Sequence, residues 1–112
     1  MTSNAVGWWQ QAGFGRQPMH ELVLSFTGDR IHGGGIDIVA PFELEGRVRK
    51  DGSVEIIKQY IGLHKVIYVG QYDGEGTLYG TWDINGHQGK WSIKLLHPAG
   101  ANDLTIQEVA PL

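Results

Sequence analysis

From Pro41 to Leu95 the chain alternates apolar and polar residues in short runs, each ended by a glycine-containing turn signal. Phe42, Leu44, Gly46 and Val48 alternate with Glu43, Glu45, Arg47 and Arg49. A period of two puts one set on a buried face and the other on a wet one, which predicts a strand. The same pattern recurs two residues past Asp51-Gly52, with Val54, Ile56, Lys58 and Tyr60 on one face. It continues with Val66, Tyr68, Gly70 and Tyr72, then Leu78, Gly80, Trp82 and Ile84, then Gly89, Trp91, Ile93 and Leu95. Asn85-Gly86 is a two-residue hairpin signal, and Asp73-Gly74-Glu75-Gly76 also turns the chain.

Folding each hairpin about its turn pairs Val48 with Val54, Tyr60 with Val66, Tyr72 with Leu78 and Ile84 with His87. One row across the sheet then reads Gly46, Ile56, Gly70, Gly80, Trp91, and the next reads Leu44, Lys58, Tyr68, Trp82, Gly89. Glycines within strands mark bends or close approaches, and several in one row let a sheet curl and close. Trp82 and Trp91 are expected to fill the space they leave.

Upstream, Met1 to Ala5 reads as a loose leader, Val6–Gln11 as a first strand and Gly13–Pro18 as a loop. His20–Phe26 reads as a second strand, and Arg30–Val39 as a third, interrupted by Gly33-Gly34-Gly35. Ala40-Pro41 reads as a tight turn pairing Val39 with Phe42. No stretch before residue 97 has helical periodicity. Eight strands joined by short connections, with one apolar face and no helix to cover it, must pack on themselves. The expected fold is all-β, an eight-stranded antiparallel up-and-down β-barrel spanning residues 1–112 as one domain. In the tail from Pro98, Leu104, Ile106 and Val109 are expected to add a short strand or cover one barrel end.

Composition narrows the partners. The 112 residues carry a net charge of −3 with both signs interspersed, so no basic stripe exists to neutralise phosphates and nucleic acid is not expected. There is no cysteine, which excludes disulfides and thiolate chemistry. No apolar run is long enough to span a bilayer, so a membrane partner is not expected either. No signal peptide is visible, and a cytoplasmic location is expected.

Gly7 and Trp9 form a Gly-x-Trp pattern near the start of this meander. In that pattern and in strand count the chain resembles the calycins: lipocalins, fatty-acid-binding proteins and the avidin family. The resemblance implies a ligand-binding barrel with the tryptophan packed at its closed end; no biotin-binding pattern accompanies it. The chain is also similar to small bacterial barrels with a Gly-Gly-x-Asp strand and a Lys-x-Tyr-x-Gly-x-His strand, matched by Gly34, Gly35, Asp37, Lys58, Tyr60, Gly62 and His64. That group implies no function.

Candidate chemistry is sparse. His32-Gly33-Gly34-Gly35 resembles an esterase oxyanion loop, but Ser3, Ser25, Ser53 and Ser92 lack the nucleophile-elbow context such an enzyme needs. Gly74-x-Gly76 and the Gly86–Lys90 stretch read as hairpin turns, since neither precedes a helix. His20, His32, His64, His87 and His97 are scattered singly, so neither a metal site nor a cofactor is expected. No enzymatic activity is expected.

Lys58 stands out because it falls on an apolar inward face. The tight turn at Ala40-Pro41 places Asp37 beside Leu44, and so near Lys58. A buried charge is costly unless paired, which predicts a Lys58–Asp37 pair with Tyr60 or Tyr68 as hydrogen-bond partner. The pair serves either as a polar anchor for a ligand or as a structural device. Asp37, Lys58, Tyr60, Tyr68, Trp82 and Trp91 are therefore the candidate interior site. On the outer face Ile57, Ile61, Ile67, Val69 and Tyr79 point away from the interior, with Ile57 expected opposite Val69. Such a patch predicts a homo-oligomer, most simply a dimer joined through Ile57, Ile67, Val69 and Tyr79. The function expected is binding of a small apolar ligand inside the barrel; the alternative is a solidly packed structural or interaction module.

Overall fold

The computed structural model describes residues 1–96. Eight consecutive antiparallel strands close into a barrel: β1 (Thr2–Gln11), β2 (Gly15–Thr27), β3 (Arg30–Ile36), β4 (Pro41–Val48), β5 (Ser53–Tyr60), β6 (Lys65–Tyr72), β7 (Thr77–Ile84) and β8 (His87–Leu95). Each strand pairs with the next, and β1 pairs with β8 through Ala5–Leu95 to Trp9–Trp91. The barrel is therefore the expected up-and-down meander. The tail assigned above to a strand or a cap lies outside the described residues.

The inner wall is the apolar face read from the alternation. Leu24, Ile31, Leu44, Val54, Ile56, Leu78, Ile93 and Leu95 are buried there with Tyr68 and Trp91. The outer wall carries Glu43, Glu45, Arg47, Glu55, Lys90 and Lys94, all exposed. This apolar-in, charged-out order is the reverse of the one a bilayer-crossing barrel presents. No described helix is long and apolar enough to cross a membrane.

Several local expectations are corrected. Thr2–Ala5 is not a leader but the first half of β1, paired with Ser25–Leu22. Gly15–Pro18 is not loop but the start of β2, with Pro18 opposite Trp8. β3 ends at Ile36, which pairs with Pro41, so the turn comprises Asp37–Ala40 and Val39 does not pair with Phe42. Asp37 makes that turn itself: its Oδ1 accepts from the Val39 amide at 2.9 Å, and its amide donates to the Ala40 carbonyl at 3.2 Å. An aspartate that satisfies the backbone two residues on is a turn former, and this outweighs its continuation of a strand pattern.

The β5–β6 register also differs. Lys58, not Tyr60, faces Val66, and Ile56 faces Tyr68. Gly62 at φ +76° lets a shorter turn close, with the Tyr60 amide donating to the His64 carbonyl at 3.1 Å. A slip of two keeps every side chain on its own face, so alternation cannot detect it. Two consequences follow. Ile57 faces Ile67, not Val69. Gly46 stands in the row of Ile56, Tyr68, Trp82 and Gly89, while Gly70 and Gly80 stand in the row of Val54 and Trp91.

The glycines still shape the wall. A Cβ on Gly70 would run into the Tyr79 carbonyl, and one on Gly80 into the Val69 carbonyl. The β6–β7 backbones approach each other more closely there than any side chain permits. Beside this bare pair lies Trp91, whose Nε1 donates to the carbonyls of Thr81 at 3.0 Å and Val69 at 3.2 Å. The indole thus satisfies backbone groups within the curled wall. Trp82 covers Gly89 in the same manner, and its Nε1 donates to the Gln10 carbonyl at 3.0 Å.

Candidate functional site

The turns after β1, β3, β5 and β7 all lie at one end of the barrel, and the polar interior residues cluster just beneath them. Lys58 reaches that cluster from β5 and is completely buried. Asp37 enters from the β3–β4 turn. With its Oδ1 committed to that turn, its Oδ2 points inward and accepts three hydrogen bonds. They come from Lys58 Nζ at 2.7 Å, Tyr60 OH at 2.8 Å and Trp9 Nε1 at 3.1 Å.

The lysine is equally well partnered. Nζ also donates to Tyr68 OH at 3.2 Å and approaches Met19 Sδ at 3.8 Å. It lies 4.3 Å from the Phe42 ring centroid and 4.7 Å from that of Tyr60, so aromatic faces stabilise the ammonium where carboxylate does not reach. All three ammonium protons therefore have protein partners. Among the described residues no buried side-chain nitrogen or oxygen lacks a partner.

Electrostatics follow from this packing. Burial pushes the Lys58 ammonium down to about 8, with the hydrogen bond and charge of Asp37 opposing the shift. Burial alone would raise the Asp37 carboxyl; the hydrogen bond and charge of Lys58, with Tyr60 OH and the Val39 amide, hold it below its ordinary value. Burial and the Asp37 carboxylate push the Tyr60 and Tyr68 hydroxyls well up, so both stay protonated, Tyr60 donating to Asp37 and Tyr68 accepting from Lys58.

Above the cluster the barrel opens as a small cup of about 60 Å³. Trp9, Tyr60, Tyr68 and Trp82 form its aromatic walls, with Gln11, Val39, His64, Val66 and Ile84 around them. Trp9 and Trp82 meet edge to face at 6.5 Å, and the His64 ring tilts against Tyr60 at 5.1 Å. A wider hollow of about 390 Å³ is lined by Gln17, Pro18, His20, Ile36, Asp37 and Ile38. Both hollows open to solvent, and the aromatic walls set the cup apart.

Of the candidates read from the sequence, Asp37, Lys58, Tyr60 and Tyr68 come together in one bonded cluster. Tyr60, Tyr68 and Trp82 line the cup; Asp37, Lys58 and Trp91 do not. Trp91 lies beneath, stacked on Tyr68 at 4.9 Å. The outer-face residues Ile57, Ile67, Val69 and Tyr79 are all exposed, as the alternation requires. Trp9, Phe42, Met19 and His64 escaped the sequence reading as site residues. Trp9 carried a signal in its Gly-x-Trp pattern. His64 ended the Lys-x-Tyr-x-Gly-x-His pattern, which implied no function; Phe42 and Met19 carried no site signal, because their role depends on which turns share a barrel end. Among the described residues no group of three or more histidine, aspartate or glutamate side chains is placed to hold a metal ion.

Comparison with protein families, with characterised proteins and with solved structures found no match to this chain.

Proposed function

We propose that this protein is a calycin-like barrel that binds a small apolar ligand, and that the ligand sits in the cup at the barrel mouth instead of deep in the interior. The observation that carries this is the convergence of Trp9, Tyr60, Tyr68 and Trp82 on one partly open cavity above a rigid polar floor. Apolar walls with a few fixed polar groups are what small-molecule sites offer. At about 60 Å³ the cup admits one small ring or the end of a longer molecule whose remainder stays in solvent. Lys58 serves this site indirectly, by holding Asp37 and Tyr68 in place. The role is binding without catalysis, in the cytoplasm.

Native mass spectrometry of the protein purified from cells, followed by tryptophan-fluorescence titration with small aromatic and aliphatic compounds, tests the proposal. Retained mass, or quenching that Trp82→Phe removes, supports it. An empty protein whose fluorescence and melting temperature respond to none of these compounds favours the second reading, a packed interaction module. That reading draws on the small cup volume and on the full partnering of Lys58 by protein groups. Either way the proposal includes a homodimer through Ile57, Ile67, Val69 and Tyr79.

A further inference from the structure

The two ends of the barrel differ sharply in chemistry. The turns at one end, after β2, β4 and β6, carry Asp29, Arg49, Lys50, Asp51, Asp73 and Glu75. The turns at the other, after β1, β3 and β5, instead expose large apolar side chains. These are Phe14 (67%), Ile38 (75%), Val39 (42%), Ile61 (57%) and Leu63 (54%). Each is at or next to the tip of a turn whose backbone is already satisfied: Phe14 N donates to Gln11 O, Val39 N to Asp37 Oδ1 and Leu63 N to Tyr60 O. No turn geometry demands an apolar residue at these places, and water penalises it.

We infer that this end of the barrel is a docking surface for an anionic phospholipid bilayer. Two features favour lipid over a folded partner. The apolar side chains stand on three separate turns around the mouth of the cup. A fluid interface surrounds separate points, whereas a rigid protein surface must match each. The charge balance is the second feature. Within two residues of the four turns at this end the cations are Arg16 and Lys65, both exposed, with His64 and His87 alongside. The only acids there are Asp37, buried on Lys58, and Asp83, which is part-buried and accepts from Gly86 N and Gln88 Nε2. Apolar tips flanked by two exposed cations, against the single part-buried acid Asp83, suit an interface that is hydrocarbon inside and anionic at its surface. The expectation that no membrane partner exists came from the lack of a spanning run, a criterion that does not read turn tips. Docking stands whether or not the cup takes a ligand.

Co-sedimentation of the full chain with vesicles of phosphatidylcholine plus phosphatidylserine, and of phosphatidylcholine alone, tests this. Binding is expected to be stronger to the anionic vesicles and to fall with added salt. The triple variant Phe14→Asp, Ile38→Asp, Leu63→Asp should keep its thermal unfolding, since all three side chains are exposed, and lose binding at least about tenfold. Lys65→Glu should weaken binding to anionic vesicles alone. A wild-type chain that stays in the supernatant with both vesicle types overturns the assignment, as does a triple variant that binds like wild type. A triple variant whose only change is a smaller mass in light scattering would also overturn it, making these tips a protein contact.

Discussion

Lys58 Nζ and Asp37 Oδ2 lie 2.7 Å apart inside the barrel, one from the end of a strand and the other from a turn that the same aspartate closes. The pair therefore ties the β3–β4 turn to β5, across β4. Removing one partner strands the other charge where it is buried from solvent. Asp37→Asn or Lys58→Met should each cost about 3–5 kcal/mol in urea unfolding, and the double variant clearly less than the sum. Additive losses would mean the two groups do not act as a unit.

The pH dependence of stability carries the same signature. Lys58 titrates near 8 when folded and at its ordinary value of 10.5 when unfolded. Below about pH 8 both states hold the proton and stability is flat. Between there and pH 10 the unfolded chain alone holds it, so stability rises with pH, by on the order of 2 kcal/mol. Above about pH 10 the trend reverses, because Tyr60 and Tyr68 ionise only once unfolded. At the acid end the depressed Asp37 carboxyl gives stability that is lost as pH falls below 3.8. In the Asp37→Asn, Lys58→Met variant the rise from pH 8 should vanish while the fall above pH 10 remains.

Much of this was legible in the chain. Alternation from Phe42 to Leu95 placed every inward side chain of the last five strands on its observed face, and the Lys58–Asp37 contact followed from the cost of a lone buried charge. The route to that contact was not legible. Asp37 meets Lys58 from a turn and not as a strand residue beside Leu44, because its own carboxylate supplies the turn's hydrogen bond. Likewise the position of Gly46 depended on the β5–β6 register, and a two-residue slip leaves every face unchanged. Face is written in the local pattern; register and the meeting of distant turns depend on closure of the whole barrel.

The close approach at Gly70 and Gly80 gives a test of closure. A Cβ at either meets backbone, which has no rotamer through which to yield. Gly80→Ala should cost roughly 3 kcal/mol or more, in the range of severe overpacking. Gly74→Ala, in a turn at φ +81° with nothing within 4 Å, should cost only about 1 kcal/mol, the penalty for left-handed backbone. Chemical denaturation of both variants separates steric closure from conformational preference. Equal losses would show that the curled wall yields easily at Gly80.

The outer patch yields the last prediction. Ile57 and Ile67 face each other across β5 and β6, Val69 follows on the same face of β6, and Tyr79 is diagonal to it on β7. Their exposures lie between 41% and 49%. Because the described strands close into a barrel, they leave no free edge among them, and a second copy joins them through side chains such as these. Val69→Glu would put two like charges together at the proposed two-fold contact and should convert the proposed dimer to monomer in light scattering, with the melting temperature of the isolated barrel little changed. The same mass for wild type and variant would remove this face from consideration. Because Phe14, Ile38 and Leu63 are on the turns at the mouth and not on this wall, Val69→Glu and the triple variant report on separate surfaces.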